Sequence, residues 1–173
     1  MTVPHLARCV ALVCPLLACG PKIGDACGTD RDCAAQGVFG RTCDLSFQTE
    51  FDGKKSQGEC IIEDCSYRSC PDDEDSVCVL VYSTQFLSVT CDPEKEDQDG
   101  GPNDCAPNEI CLREGLCADQ VSARSSCRLE CSGNGDCRPG YRCQQTDVDG
   151  VYVMPNPDDP TAVKITSICV PDR

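Results

Sequence analysis

The sequence predicts a small disulfide-rich fold, made of tandem cysteine-rich modules with short β-hairpins and little helix. Three observations lead there. Nineteen of the 173 residues are cysteine, 11% of the chain, a content that marks disulfide scaffolds. The 40% hydrophobic content includes those cysteines, and without them about 29% remains, too little for a conventional core of this length. The chain also carries 29 acidic against 15 basic residues, a balance that would leave a cysteine-free chain of this kind disordered. Crosslinks must supply what burial cannot. The acidic balance further argues against nucleic acid as a partner, because phosphates select Lys and Arg.

At the amino terminus, Met1 to Arg8 carries one arginine, and Cys9 to Ala18 then runs without a charge. Ten apolar residues span about 15 Å as a helix, half of a bilayer core, which suits a secretory signal rather than a membrane span. The end of that run, Leu16-Leu17-Ala18-Cys19-Gly20, resembles the lipobox of bacterial lipoproteins. The resemblance implies cleavage before Cys19 and acylation of its thiol and new amine. Two or more acyl chains anchor stably where one holds only marginally. It also implies outer-membrane sorting, since Gly20 is not the aspartate associated with inner-membrane retention. Residues 1–18 are therefore expected to be a lipoprotein signal peptide, and residues 19–26 a lipidated tether. An ordinary secretory signal cut near Ala18 would instead leave Cys19 as a spare thiol.

Cysteine parity favours the lipidated reading. Cys9 and Cys14 leave with the signal and Cys19 is consumed as a thioether. Sixteen cysteines remain, an even number suited to complete oxidation outside the cytoplasm. Cleavage also removes Arg8 and His5, the only histidine, leaving fourteen basic against 29 acidic residues and a net charge of −15. Without imidazole, Ser-His-Asp and Cys-His catalysis and histidine-ligated zinc or haem are excluded.

The sixteen fall on either side of an acidic, glycine-rich stretch, Asp92 to Asp104, which reads as a linker. Cys27, Cys33, Cys43, Cys60, Cys65, Cys70, Cys78 and Cys91 precede it, defining a first domain over 27–91. Cys105, Cys111, Cys117, Cys127, Cys131, Cys137, Cys143 and Cys169 follow, defining a second over 105–173. Short gaps between cysteines match while long gaps vary, as in a duplicated core with variable tips. Each half splits again into two four-cysteine modules. The segment Cys27-Gly28-Thr29-Asp30-Arg31-Asp32-Cys33 parallels Cys131-Ser132-Gly133-Asn134-Gly135-Asp136-Cys137, and both continue through a Gly and an Arg to a third cysteine. Four disulfides are expected within each half, with the pairing open.

Between third and fourth cysteines the pattern reads as hairpins. Val77, Val79 and Val81 would pair with Phe86, Leu87 and Val89, and Val151 to Met154 with Ala162 to Val170 across a proline-rich turn. No stretch carries a helical period of useful length. At about 65 residues per half, apolar burial alone is marginal, and disulfides at ~2–4 kcal/mol each become the main stabiliser.

Candidate chemistries are few. Zinc and thiol-redox sites favour C-x2-C, and no two cysteines lie closer than Cys127 and Cys131. Asp72, Asp73, Glu74 and Asp75, the pair Asp97 and Asp99 before Gly100, and the pair Asp147 and Asp149 before Gly150 could offer oxygens to calcium. Neither pair continues into an EF-hand loop, and a solvated acidic surface is the preferred reading. With 29 acids a carboxylate pair exists at any spacing, so glycoside-hydrolase chemistry has no specific signal. No catalytic residue, metal site or cofactor is assigned, and the chain is expected to be no enzyme.

The lipobox, the C-x4-D-C steps ending at Cys33 and Cys137, and Gly140-Tyr141-Arg142-Cys143 together resemble the cysteine-rich surface lipoproteins of myxobacterial-type envelopes. The spacing is also loosely similar to the Dickkopf amino-terminal cysteine-rich region, and less so to an EGF module, whose C-x-C is missing. The resemblance implies a membrane-anchored binding module with a protein or other envelope partner. Phe47 to Gln57 and Tyr152 to Ala162 are the expected contact segments. The alternative is a protease inhibitor presenting Arg124 on a loop over Ala123 to Ser126.

Overall fold

In a computed structural model the described residues are 20–34, 40–46, 50–51, 54–55, 57–82, 89–95, 105–159, 162 and 164–172. Among them the chain forms strands and three single 3-10 turns, without an α-helix. This is the small disulfide-rich β-hairpin fold that the composition requires. The strands are β1 (Ala26–Cys27), β2 (Arg41–Asp44), β3 (Glu50–Phe51), β4 (Lys54–Lys55), β5 (Gly58–Glu63) and β6 (Ser76–Val81). They continue with β7 (Glu109–Cys111), β8 (Cys117–Asp119), β9 (Arg124–Leu129), β10 (Tyr141–Gln145), β11 (Val151–Val153) and β12 (Ser167–Pro171).

One six-stranded sheet runs β1-β5-β9-β6-β11, with β2 also on β5; β3-β4, β7-β8 and β10-β12 form two-stranded ribbons. The expected hairpin from Val77 to Val89 is corrected here. β6 pairs over its whole length with β9, from Ser76↔Leu129 to Val81↔Arg124, and on its other edge with β11. A strand has two hydrogen-bonding edges, and both are occupied. Phe86 and Leu87 lie outside the described residues, and Thr90 bridges Leu116 instead. The second expected hairpin is corrected likewise: β11 joins β6, while β12 pairs with β10.

Period-two alternation in β6 distributes the core. Val77 and Val79 point to one face, where Val151 of β11 and Ile168 of β12 cover them. Cys78 points to the other face and joins Cys65, Cys70, Cys127 and Ile23. Farther along, Leu80 packs near Tyr82, Tyr152, Leu112 and Ala118, the two tyrosine rings meeting edge-on with centroids 6.1 Å apart.

Eight disulfides join the sixteen cysteines from Cys27 onward. They form four modules with one rule: first to third cysteine, second to fourth. The bonds are Cys27–Cys43 with Cys33–Cys60, Cys65–Cys78 with Cys70–Cys127, Cys91–Cys111 with Cys105–Cys117, and Cys131–Cys143 with Cys137–Cys169. In every module the third and fourth cysteines are direct cross-strand partners: Cys43↔Cys60, Cys78↔Cys127, Cys111↔Cys117 and Cys143↔Cys169.

The expectation of four bonds closed within each half is corrected by this pairing. Cys70–Cys127 and Cys91–Cys111 both cross the 92–104 stretch, and β9 from the second half lies between β5 and β6 from the first. The reason is register. Cys127 falls opposite Cys78 on β9, so the second module takes its fourth cysteine from beyond the third module, which sits inside that excursion. Residues 96–104 of the expected linker lie outside the described residues.

Candidate functional site

The repeated C-x4-D-C step has a common geometry. The Asp32 carboxylate accepts from the Gly28 and Thr29 amides at 2.8 Å each, and Asp136 accepts from Ser132 and Gly133 at 2.7 and 3.2 Å. Those amides hold the Asp32 carboxyl below the usual aspartate range, because hydrogen bonds to the ionised form favour it. Two residues earlier, the Asp30 side chain accepts from the Cys43 amide at 2.9 Å, and Asn134 accepts from Cys143 at the same distance. Each such step docks a first-cysteine turn onto the third-cysteine strand. Gly40 and Gly140, at φ +85° and +83°, precede those strands in the left-handed conformation that glycine adopts without strain.

Residues 20–26, expected to belong to a lipidated tether, pack against the first two modules. Ile23 is 2% exposed within the sulfur-rich cluster. Its amide donates to Glu74 Oε2 at 2.9 Å, the Gly24 amide to the Cys60 carbonyl at 2.9 Å, and the Cys60 amide to the Asp25 carbonyl at 2.9 Å. Arg41 donates to the Pro21 carbonyl and pairs with Glu74. Cys19 and residues 1–18 lie outside the described residues.

A second feature escaped the sequence reading. Ser66 to Ser69 form a tight turn, closed by Ser69 N–H to the Ser66 carbonyl at 3.1 Å and by Ser66 N–H to Ser69 Oγ at 2.8 Å. Cys65 and Cys70 bracket it, both buried and both bonded into the core. Arg68 occupies its left-handed position with φ +59°. The other non-glycine residues with positive φ among the described residues are all aspartates, a type that tolerates this region, whereas arginine gains nothing there. Arg68 is exposed, its guanidinium 5.2 Å from the Tyr67 ring centroid, and its charge has no ion pair among the described residues. The available signal was a C-x4-C loop holding an adjacent aromatic and cation.

Besides the Arg41–Glu74 pair, charge is buried in a second place among the described residues. Arg128 on β9 donates to Glu59 Oε2 and Asp44 Oδ2 at 2.7 Å each, and to Ser126 at 3.1 Å. Asp44 and Glu59 are direct cross-strand partners on β2 and β5, a like-charge juxtaposition that is unfavourable without a bridge. Burial pushes the Asp44 carboxyl up, but Arg128 and the Ser46 bonds outweigh it and hold the group below its ordinary range. At Glu59, which is 1% exposed, burial wins and the carboxyl is pushed up despite Arg128. Asp44, Ser126 and Arg128 of this cluster line a cleft of ≈ 880 Å³ together with Tyr82, Val151, Ile168 and Arg142.

Other sequence candidates are dispersed. Arg124 opens β9 and pairs with Val81, so it stands in a sheet strand rather than on the projecting loop an inhibitor requires. Tyr152, the first residue of an expected contact segment, is buried, and burial pushes its phenol well up; residues 155 and 157–159 beyond it are exposed. Most of Phe47 to Gln57, and Asp97, Asp99 and Gly100, lie outside the described residues. Asp147 pairs with Arg113, Asp149 accepts from Gln144 at 3.2 Å, and Glu74 is committed to Arg41 and Ile23. Every cluster of three or more metal-ligating atoms among the described residues contains disulfide sulfurs, which offer no thiolate. No family model, curated protein or solved structure matches the chain.

Proposed function

We propose that the mature chain is an exported, non-enzymatic interaction protein, anchored to the outer membrane through lipidated Cys19 and binding an envelope or extracellular partner through rigid turns. The observation that carries the binding site is the Ser66–Ser69 turn. Tyr and Arg dominate interface energetics where they are held in place beforehand. Here an exposed Arg68, beside a half-buried Tyr67, stands between two buried disulfides, in a backbone conformation that costs an arginine about 1 kcal/mol. The conformation persists because the crosslinks over-determine it. A guanidinium with no ion pair among the described residues, on so acidic a protein, favours a carboxylate on the partner. Complete pairing of the cysteines from Cys27 onward supports an oxidising location.

The test is proximity labelling on intact cells, comparing wild type with Arg68→Gly at matched abundance. Glycine relieves the left-handed strain but adds unfolded-state freedom, so stability stays within about 1 kcal/mol. Neighbours labelled by wild type should be lost with the variant. An unchanged set of neighbours removes this turn from the contact surface.

A further inference from the structure

The amino-terminal segment bridges two modules. Gly24 and Asp25 hydrogen-bond to Cys60 of the first module, while the Ile23 amide reaches Glu74 of the second. The Ile23 side chain fills the pocket of Cys65, Cys70, Cys78 and Cys127. Arg41 and Glu74, with side chains 1% and 9% exposed, tie the two attachment points together. Gly24 has φ +89°, and a Cβ on it would stand 3.0 Å from two Leu129 carbons, so the chain enters by a path that few side chains would allow.

Resting on lipidation at Cys19 as proposed above, we infer that residues 21–24 act as a collar that seats the folded body directly on the bilayer. Only Gly20, which is exposed, separates Cys19 from Pro21. At ~3.5 Å per residue, the body stands within about 10 Å of the acylated cysteine, a distance comparable to the headgroup layer. The partner of this surface is therefore lipid headgroups. Its exposed side chains adjoin the collar in sequence: Lys22 and Asp25 beside Ile23, and Asp72 and Asp73 beside Glu74. Such seating fixes which side of the molecule faces outward and restricts the tilting that a long tether permits.

Hydrogen exchange on the mature lipidated protein in detergent micelles tests the collar. The Ile23 and Gly24 amides should be protected alongside β5; exchange at the rate of an unstructured chain overturns the inference. Trypsin gives a second reading at the Lys22–Ile23 bond, followed by mass. Cleavage should be at least about tenfold faster in Ile23→Ala, because proteolysis follows the opened population and the buried side chain resists opening. Glu74→Gln provides the same comparison should Ile23→Ala not fold, and wild-type cleavage as fast as in either variant overturns the collar. On phosphatidylcholine vesicles, trypsin should release a variant carrying Gly-Ser-Lys-Gly-Ser between Gly20 and Pro21 well before it releases wild type; equal release rates overturn the seating. Palmitate labelling distinguishes the two levels. If wild type incorporates none, or Cys19→Ala incorporates as much, the anchor fails while the exchange result still stands on its own. If labelling depends on Cys19 and Ile23 exchanges freely, the collar alone fails.

Discussion

The first and last modules close locally, with Cys33–Cys60 spanning 27 residues and Cys137–Cys169 spanning 32, while the second closes Cys70–Cys127 over 57. All three place the third and fourth cysteines opposite one another on antiparallel strands. The second differs because the third module occupies the excursion between its hairpin arms. Loop-closure entropy grows only logarithmically with length, so a hairpin tip is the place where a whole crosslinked unit enters at small cost. The hairpin rule survives the insertion; the sequence boundary between halves does not. The returning strand β9 then becomes the centre of the sheet, and the first and second modules share that sheet.

The largest test of that shared sheet is Arg128, which sits on the returning strand and neutralises Asp44 and Glu59 on the first module. Arg128→Met leaves two acids together in a buried site, and loss of one partner from such a cluster typically costs about 3–5 kcal/mol. Denaturant unfolding at pH 7 measures it. A loss below about 1 kcal/mol, the range of exposed ion pairs, would mean that the modules do not depend on this bridge. Glu59→Gln sharpens the point through pH. The raised Glu59 carboxyl takes up its proton more readily folded than unfolded, so wild type gains stability as pH falls through the folded value toward the ordinary glutamate range. Asp44 acts oppositely and lower: its lowered carboxyl contributes stability above the ordinary aspartate value, lost as pH falls through the folded one. Glu59→Gln should abolish the acid-side gain and keep the loss at lower pH. An unchanged profile would place Glu59 outside this balance.

Removing disulfides compares the interrupted module with an uninterrupted one. In chain-entropy terms, replacing Cys70 and Cys127 with serine costs about 4 kcal/mol for a separation of 57, against about 3 kcal/mol for Cys131 and Cys143 at a separation of 12. Thermal unfolding of the two double variants reads the difference. Equal losses would show that Cys91–Cys111 already restrains the span before Cys70 is joined.

The fold class was legible in the sequence because it depends on counts: cysteines, charge and a missing helical period. The first and last modules were legible too, since Cys27 to Cys60 and Cys131 to Cys169 are contiguous and carry the same C-x4-D-C step. The middle was not. Cys91 and Cys127 each stand next to the wrong neighbours along the chain, and only the β6–β9 register reveals that Cys127 faces Cys78. Strand partners failed for a related reason. Val77 to Val81 shows that a strand forms without saying which strand lies beside it, and sequence proximity favoured 86–89 over β9 and β11. Of the candidate site, Arg68 was not legible, since its significance lies in a backbone angle, and the docking of residues 21–24 was not, since Ile23 looks like any apolar residue in a short linker.

The smallest expected effect concerns the turn shared by the first and last modules. Asp30 and Asn134 perform the same task with different charge, each accepting the third-cysteine amide at 2.9 Å. Asp30→Ala and Asn134→Ala should each cost about 1 kcal/mol, the usual net value of such a bond. Their losses should add in the double variant, because the two turns belong to different modules and share no partner in these contacts. Asp30→Asn should instead change stability by less than about 0.5 kcal/mol, the range of substitutions that leave contacts intact. The acceptor oxygen is kept and only the charge is lost, which on a chain of net charge −14 slightly relieves self-repulsion. If Asp30→Asn cost as much as Asp30→Ala, the first module would depend on the charge itself, and the likeness of the two turns would be one of shape alone.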